Sequence, residues 1–487
     1  GAIAIGSGAT FKYSSSATQT LQTGVISGAG NLTKDTDASS VLTLTGSNTY
    51  SGVTTINAGT ISVGTIGNGG VAGNLGQATN SASNLVLGGG TLQYTGSTAS
   101  TDRNFTITAG TTGTFDITTN TLTISGSAAA TSGNLTKTGS GILILTGTNL
   151  QTGIVTLNAG TLSVGAIGNG GSTSSNLSAS SNANTNLVLG NGTLIYTGAG
   201  ETSDRAFTIT AGTTATIDNS ATLTLAGSTV TATTGALTKT NSGTLNLTGV
   251  NTYTGATTIS AGTIAISADA NLGTASTLVP TQLTLSGGIL QTTASFTLAT
   301  NRGITLGTGG GGIDVVSGTL TYPGAIVGAN TLTKYGLGTF LISGSKTAAS
   351  AAYVVIYQGT FTIQADAPVL TGQTFTGAGN LIIQSAGTSF SPTFEASALS
   401  LVGNTGTTPT EPVSTDGVNR SALLGTLTIG KSGNLGTINI SGNITTAGNQ
   451  TFYGPVTLSA DITSTVTSGT VNFIGTVNSS TSLLIEA

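Results

Sequence analysis

The feature that most constrains this chain is a segment of about one hundred residues that recurs along its length. Each copy contains a Leu-Thr-Lys tripeptide, an alternating apolar and polar stretch, and an Ala-Gly-Thr or Gln-Gly-Thr corner. The four copies begin near Asn31, Gly133, Gly235 and Asn330, and their lysines are Lys34, Lys137, Lys239 and Lys334. The fourth copy is the most divergent. Such duplication indicates one structural unit that buries its core by stacking on its neighbours.

A shorter rhythm within each copy predicts β-strands. Residues 41–45, 106–108 and 121–124 alternate apolar residues with Thr, which is the pattern of a strand with one buried face. Gly-Ser, Asn-Ala-Gly and Asn-Gly-Gly segments separate the strands and supply the positive φ that tight corners need. No helical spacing of apolar residues is sustained, so we expect almost no helix.

Short strands with glycine corners are compatible with sandwiches and propellers as well as solenoids. Asn-Gly hairpin signals occur at Asn68, Asn169 and Asn191, but not between most strands. Recurring strands and corners instead favour an all-β fold, a parallel β-solenoid with one coil per roughly 20 residues. We expect about two dozen coils, which at about 4.8 Å per coil would make a rod on the order of 100 Å long.

A single coil buries too little apolar surface to offset its ordering entropy, so each coil needs neighbours on both sides. The strand pattern nevertheless reaches both ends, at Ile3-Ala-Ile5 and Leu483-Leu-Ile485. The chain is therefore expected to be a slice of a longer rod, or to associate with itself end to end through its terminal coils.

The repeat also divides the chain. Residues 1–366 are predicted to be a β-helix built from the duplicated blocks. Residues 367–424 are predicted to be a looser β-helix with a protruding polar loop at 403–420, where Pro409 and Pro412 interrupt ladder pairing. Coils are expected to resume over residues 425–487.

Composition excludes most catalytic chemistry. The chain has no His, Cys, Met or Trp, so the usual ligands of zinc, copper, haem and iron–sulfur centres are missing, as are Ser–His–Asp and Cys–His catalysis. Only 15 acidic and 11 basic residues occur, with a net charge of −4, which gives no field for binding nucleic acid. We therefore expect no enzyme, no cofactor and no metal site.

The same composition bears on membranes and export. The longest apolar run, residues 351–357, is far shorter than the roughly 20 residues of a membrane span. The first residues, GAIAIGSGAT, lack both an initiator Met and a basic segment, so any signal peptide is expected to have been removed.

The repeated phrases LTKTGSGILILTG, TGVNTYTGATTISAGT and SGAGNLTK resemble the autotransporter-associated, or passenger-associated, β-strand repeat of Gram-negative surface proteins. The C-terminal phrase ITTAGNQTFYGPVTLSADI resembles tracts of filamentous-haemagglutinin-like exoproteins. The resemblance implies a right-handed parallel β-helix, exported to the cell surface and serving adhesion or matrix building. It leaves open whether export follows the autotransporter or the two-partner route.

Two glycine-rich motifs resemble known binding motifs. Residues 425–432, which end in Lys431 and Ser432, match the P-loop pattern, but their middle residues have a strand pattern and no helix follows. Residues 309–314, which end in Asp314, resemble one unit of a calcium-binding repeat, but the equivalent stretches at Asp116 and Asp218 lack the glycines. Strand and corner roles are favoured for both motifs.

Paired carboxylates are candidates for catalysis, because glycoside hydrolysis needs two acids about 5–10 Å apart in a groove. The candidate pairs are Glu201 with Asp204 and Glu411 with Asp416, and both lie in single polar loops without aromatic lining nearby. Asp35 and Asp37 form the closest acidic pair, but the other copies lack it, so a solvated turn is favoured there. The recurring dipeptides Asp102-Arg103 and Asp204-Arg205 favour structural ion pairs.

Hydroxyl and aromatic residues also recur. The Thr-x-Thr pairs could form an ice-binding ladder, but Ser, Ala and Asn interrupt them, so ordinary outward strand positions are favoured. Repeated aromatics are interpreted as core or corner packing. The threonine pairs are Thr43/Thr45, Thr106/Thr108, Thr208/Thr210 and Thr222/Thr224. The repeated aromatic residues are Tyr50, Tyr253, Phe105 and Phe207.

The sequence therefore predicts an extracellular structural protein that forms a rigid surface rod or filament for adhesion, biofilm or matrix building. Two alternatives stay open: a carbohydrate-binding adhesin that contacts host or matrix glycans through loop 403–420, and, third, a β-helix enzyme that degrades polysaccharides.

Overall fold

The computed structural model describes residues 2–21, 24–229, 231–343, 353–364, 373–384, 399–401, 425–430, 438–440, 444–458 and 461–486. The chain divides into two compact units, Gly1–Gly255 and Ala256–Ala487. Within the described ranges, helix is limited to three short 3₁₀ turns, Ala82–Asn84, Asn184–Asn186 and Asp269–Leu272. The expectation of an all-β chain with almost no helix is confirmed.

The first unit consists of strands that pair in parallel with strands of the preceding and following coils. One long ladder contains Gln19–Leu21, Val41–Leu44, Thr60–Val63, Thr91–Tyr94, Thr112–Ile117, Asn134–Thr138, Val155–Val164, Leu187–Tyr196, Thr214–Asn219 and Ala236–Thr240, joined by Ala99–Thr101, Thr121–Ile124, Ile142–Leu145 and Thr208–Ile209. A second ladder contains Thr10–Tyr13, Asn31–Lys34, Thr54–Ile56, Leu85–Leu87 and Thr106–Ile107. Shorter ladders pair Ile3–Ile5 with Ile26–Gly28, and Glu201–Ser203 with Leu223–Leu225 and then Thr244–Leu247.

The second unit has the same parallel construction. Two of its ladders contain Thr257–Ile259, Val279–Leu285, Arg302–Leu306 and Ile326–Val327, and Thr263–Ile266, Ile289–Thr292, Gly311–Val315, Leu332–Tyr335, Tyr353–Ile356, Gln373–Thr376 and Leu399–Leu401. A third contains Phe296–Thr297, Thr319–Tyr322, Thr339–Ile342, Thr360–Gln364, Asn380–Gln384, Leu427–Ile429, Gln450–Tyr453 and Val471–Ile474. The last two contain Ile438–Ile440, Val456–Leu458 and Val477–Ser479, and Ile444–Thr446, Ile462–Val466 and Leu483–Glu486.

The register of these ladders confirms a parallel β-solenoid. In the first unit Leu42 pairs with Ile61, Ile61 with Leu92 and Leu92 with Phe115, so each residue meets its counterpart one coil later. The described parts of the two units contain about 18 turns. The expected two dozen coils is therefore too high, because some coils carry inserted loops, as between Ile61 and Leu92.

Strand alternation places the core as the sequence predicts. In Val41–Leu44, Leu42 and Leu44 are buried, while Val41 and Thr43 are half-buried on the outer face. Some corners need a left-handed residue, and Asn120 (φ 57°) and Gly139 (φ 72°) provide it. Asn and Gly suit these positions because both tolerate positive φ.

The terminal strand predictions are confirmed: Ile3–Ile5 and Leu483–Glu486 are both paired strands. Loop 403–420 lies outside the described residues. The proposed boundaries at 366 and 424 stay predictions.

Because the inward-facing side chains of successive coils are closely packed, truncating one of them should lower the free energy of unfolding. We expect Leu157→Ala, at a fully buried position, to lower the free energy of unfolding by about 2–5 kcal/mol. Thr156→Ala, on the outer face of the same strand, should change it by less than about 0.5 kcal/mol. Urea unfolding followed by circular dichroism measures both, and equal effects would contradict the inward assignment.

Candidate functional site

The lysine of each repeat lies in the core. It belongs to a column of inward-facing side chains, one from each coil, that is otherwise apolar. Lys137 pairs with Phe115 in the preceding coil and with Leu157 in the next coil. Lys334 likewise lies between Ile313 and Ile356. All four repeat lysines are fully buried: Lys34, Lys137, Lys239 and Lys334.

Each of these ammonium groups donates hydrogen bonds to backbone carbonyls of the adjoining corner. Lys137 Nζ donates to the carbonyls of Thr138, Gly139 (2.9 Å) and Ala159 (3.3 Å). Lys239 Nζ bonds the carbonyls of Thr240 and Asn241 in the same way. The lysine therefore satisfies corner carbonyls that have turned away from the strand ladder.

Burial has an electrostatic consequence for these lysines. Desolvation lowers the pKa of Lys137, Lys239 and Lys334 to about 8, while Asp116 acts in the opposite direction on Lys137. A lysine with such a pKa could serve chemistry if a substrate reached it. Here Nζ is enclosed by carbonyls, so its role is structural.

The repeated aspartates form polar contacts on the outer face. Asp116 Oδ2 accepts a hydrogen bond from Gln93 Nε2 at 2.8 Å, and Asp314 Oδ2 accepts one from Gln291 Nε2 at 2.7 Å. Asp218 accepts hydrogen bonds from side chains of the next coil. These contacts connect consecutive coils through side chains.

The repeated arginines anchor the inserted loops. Arg103 is buried and donates to the carbonyls of Gly67 (2.9 Å), Gly76 (2.7 Å) and Ala78 (3.2 Å) in the loop of residues 64–80. Arg205 makes the corresponding bonds, including one to the carbonyl of Gly168 at 3.0 Å, in the loop of residues 165–182. One guanidinium thus fixes each loop through its backbone.

The predicted ion pairs within Asp102-Arg103 and Asp204-Arg205 are wrong. The two dipeptides follow the strands Ala99–Thr101 and Glu201–Ser203, and their guanidinium groups bond carbonyls of the inserted loops. Asp102 Oδ1 instead accepts from the amide of Gly69 at 2.7 Å. In the third repeat Arg302 does have a carboxylate partner, Asp269, with Nε to Oδ1 at 2.7 Å.

The candidate catalytic carboxylates Glu201 and Asp204 accept hydrogen bonds from backbone amides in the loop of residues 165–182. Glu201 accepts hydrogen bonds from the amides of Ile167 (2.9 Å) and Gly168 (2.5 Å), and Asp204 accepts one from the amide of Gly170 (2.7 Å). Both carboxylates therefore stabilise the loop. Glu411 and Asp416 lie outside the described residues.

The second repeat carries a coordinated change beneath its loop. In the first repeat Tyr50 donates to or accepts from Thr54 Oγ1 at 2.7 Å, and its ring is so close to Gly76 that a Cβ there would lie 2.8 Å from Cζ. The equivalent residues of the second repeat are Gln151, Val155 and Ser178. The smaller Gln151 leaves room for the serine, but its buried Oε1 has no hydrogen-bond partner in the described structure.

The surface of the described ranges is almost free of positive charge. Seven of the eight basic residues in these ranges are the buried lysines and arginines of the repeats. Lys12 is the exception: its side chain is 58% exposed and pairs with Asp35, the residue weighed with Asp37 as an acidic pair. The outer faces consist mainly of Thr, Ser and Asn, with scattered carboxylates.

The described parts of the two glycine-rich motifs form a strand and a corner, as the sequence predicts. Leu427–Ile429, the middle of the P-loop-like motif, is a strand, whereas Lys431 and Ser432 lie outside the described residues. Gly309 (φ 84°) and Gly310 (φ 72°) form a corner before the strand Gly311–Val315. The described residues contain no cluster of three or more potential metal ligands, and no helix among them is long and apolar enough to cross a membrane.

The threonine and aromatic positions are also structural. Thr106 Oγ1 donates to the carbonyl of Ala82, and Thr208 Oγ1 to that of Asn184, both at 2.8 Å and both one coil earlier. The repeated aromatic residues are buried, as interpreted from the sequence: Tyr50, Tyr253, Phe105 and Phe207.

Comparison with known proteins gives two matches. Residues 39–63, 135–164 and 237–266, within the first three repeats, match the Passenger-associated-transport-repeat family. The chain is 34% identical over 419 residues to the Adhesin BmaC autotransporter of Brucella suis biovar 1 (strain 1330), an alignment that covers 64% of this chain and 12% of that protein. The chain thus spans about an eighth of its relative. No solved structure matches it. The haemagglutinin-like resemblance of the C-terminal part stays a prediction.

Replacing a buried repeat lysine should leave the corner carbonyls without the ammonium group that donates hydrogen bonds to them. We expect Lys137→Met, which keeps an apolar stem in the column, to lower the free energy of unfolding by about 1–3 kcal/mol. Lys12→Met, at the exposed lysine, should change it by less than about 0.5 kcal/mol. Urea unfolding measures both, and a Lys137→Met chain as stable as the parent would show that the carbonyls need no lysine.

The coordinated change in the second repeat predicts coupling between three positions. Gln151→Tyr alone should destabilise the chain by about 1–3 kcal/mol, because the ring meets the Ser178 side chain. Adding Val155→Thr and Ser178→Gly, as in the first repeat, should recover that loss, because the glycine makes room for the ring and the threonine supplies a hydroxyl partner. Thermal unfolding of the single and triple variants tests the coupling. Equal stability of the two would contradict it.

Proposed function

We propose that the chain is part of a secreted cell-surface autotransporter passenger of a Gram-negative bacterium and acts as a non-enzymatic segment of an extracellular adhesin. Its passenger-associated repeats and its similarity to an autotransporter adhesin support this proposal. The observation that carries this proposal is where the repeated charges lie. Lysine, arginine and aspartate recur with the repeat, and each bonds to the chain itself. None is left in an arrangement for turnover within the described ranges.

The proposed mechanism is mechanical support combined with surface contact. In each unit most strands are paired with both neighbouring coils, which resists local opening because backbone hydrogen bonds must break on two sides. We propose that this construction gives a rigid rod or filament that holds contact surfaces away from the cell, and that it serves adhesion or matrix building.

End-to-end association through terminal coils is part of the same proposal. The strands Val471–Ile474 and Leu483–Glu486 carry the exposed apolar side chains of Ile474, Leu484 and Ile485. Strand addition by a second copy would cover them. Binding of glycans by loop 403–420 remains a separate prediction. Polysaccharide degradation is disfavoured at Glu201 and Asp204, since both carboxylates are bound to loop amides.

The adhesin proposal predicts attachment that requires the folded chain. Beads coated with the purified protein should bind to epithelial monolayers, or to a film of the protein itself, at least ten-fold more than beads coated with the heat-unfolded protein. Bead counting under flow measures attachment, and electron microscopy of the same sample distinguishes single rods from end-to-end filaments. Equal counts for both coatings on both surfaces would refute an adhesive role.

A further inference from the structure

The fourth repeat replaces small polar residues by aliphatic or aromatic ones at four neighbouring positions on its surface. Its Val316, Tyr335, Leu337 and Tyr357 correspond to Thr118, Thr138, Ser140 and Asn158 of the second repeat. The registers agree, because Asp314 pairs with Tyr335 just as Asp116 pairs with Thr138. We call the four residues of the fourth repeat the aromatic corner.

The aromatic corner forms one surface across three consecutive coils. The rings of Tyr335 and Tyr357 stack with centroids 5.2 Å apart and planes at 20°. Val316 and Leu337 lie beside them at successive corners and are 44% and 77% exposed. The two tyrosines are half-buried, so part of each side chain reaches the surface.

The scaffold does not require these residues. Lys137 and Lys334 bond their corner carbonyls in the same pattern, although one corner carries Thr138 and Ser140 and the other Tyr335 and Leu337. Neighbouring exposed apolar side chains on a secreted protein commonly mark a contact site. The aromatic corner is therefore an addition to the repeat, with the second repeat as its unmodified counterpart.

Polar groups border the aromatic corner on the preceding coils. Asp314 is the strand partner of Tyr335, and its carboxylate accepts a hydrogen bond from Gln291 Nε2 at 2.7 Å. A sugar ring has an apolar face of C–H bonds and a rim of hydroxyls. Aromatic rings beside a carboxylate and an amide offer matching partners for both.

The size and the charge of the aromatic corner indicate which class of ligand it binds. A stable protein interface needs roughly 20–30 residues on each side, far more than this corner supplies, so a second copy is a poor fit. Phosphorylated, sulfated or sialylated ligands need positive charge, and among the described residues of this repeat the basic residue, Lys334, is fully buried.

We propose that the aromatic corner binds a neutral oligosaccharide, with sugar rings packed on Tyr335, Leu337 and Tyr357 and hydroxyl groups bonded by Asp314 and Gln291. The inference deepens the proposed adhesive function and rests on it for its biological purpose. It names a class of glycan and a site whose residues are not those of loop 403–420.

The absence of tryptophan from the chain permits a direct binding measurement. Leu337→Trp places a single fluorophore in the aromatic corner, and Ser140→Trp places one at the equivalent corner of the second repeat. The probes are neutral tetrasaccharides of β-linked glucose, N-acetylglucosamine, mannose and galactose. Sialylated and sulfated oligosaccharides serve as the anionic set, and an uncharged apolar peptide as the protein-like ligand.

At least one neutral tetrasaccharide should shift the emission of Trp at 337 in a saturable manner, without a response from Trp at 140. Adding Tyr335→Thr and Tyr357→Asn to Leu337→Trp should weaken binding at least ten-fold. Both substitutions install residues that the second repeat already holds, and circular dichroism checks the fold. The converse changes Thr138→Tyr and Asn158→Tyr, added to Ser140→Trp, should create a response.

No shift with any neutral probe, an equal shift at both corners, or a response restricted to the anionic set or the peptide would overturn the assignment. The outcome is independent of the adhesion assay. Beads that attach equally well after Tyr335→Thr and Tyr357→Asn would leave the adhesin proposal intact and show that the sugar site does not serve it. Saturable sugar binding without bead attachment would support the site and count against the adhesin proposal.

Discussion

The structure depends on backbone hydrogen bonding between each coil and its two neighbours. Strands satisfy this requirement through parallel ladders, but corners rotate their carbonyls out of the ladder and leave them near a closely packed interior. Lys137 solves this problem with an ammonium that bonds three such carbonyls, and Lys239 and Lys334 act similarly. The desolvation of a cation, seen in the lowered pKa of Lys137, is the cost of that solution.

Much of the fold follows from local sequence rules, and the errors have physical causes. Alternation in residues 41–44 and the glycine corners suffice for parallel coils with Leu42 inside. The number of coils was overestimated because the polar loop of residues 64–80 reads as ordinary corners, although it lengthens one coil. Nothing in composition distinguishes an inserted loop from a short corner; the partner of Ile61 decides it, and that partner is distant in sequence.

The roles of the charged residues were only partly predictable. The spacing of the lysines identified them as repeat positions. The strand pattern also indicated their burial: in Asn31–Lys34 the lysine lies two residues after buried Leu32 and therefore faces the same side of the strand. The arginine contacts could not be derived in this way, because the carbonyls that Arg103 binds are about 25 to 36 residues away along the chain. Adjacency suggested Asp102 as its partner, whereas the Asp102 carboxylate accepts a hydrogen bond from the amide of Gly69.

The anchoring of the inserted loops has a consequence for variation. Arg103 holds residues 64–80 mainly through main-chain oxygens, and these are present whatever side chains the loop carries. Exposed positions such as Val71 at this loop can therefore change without loosening the coil beneath. A chain built in this way can vary the outward side chains of its loops while the buried interior beneath them stays constant.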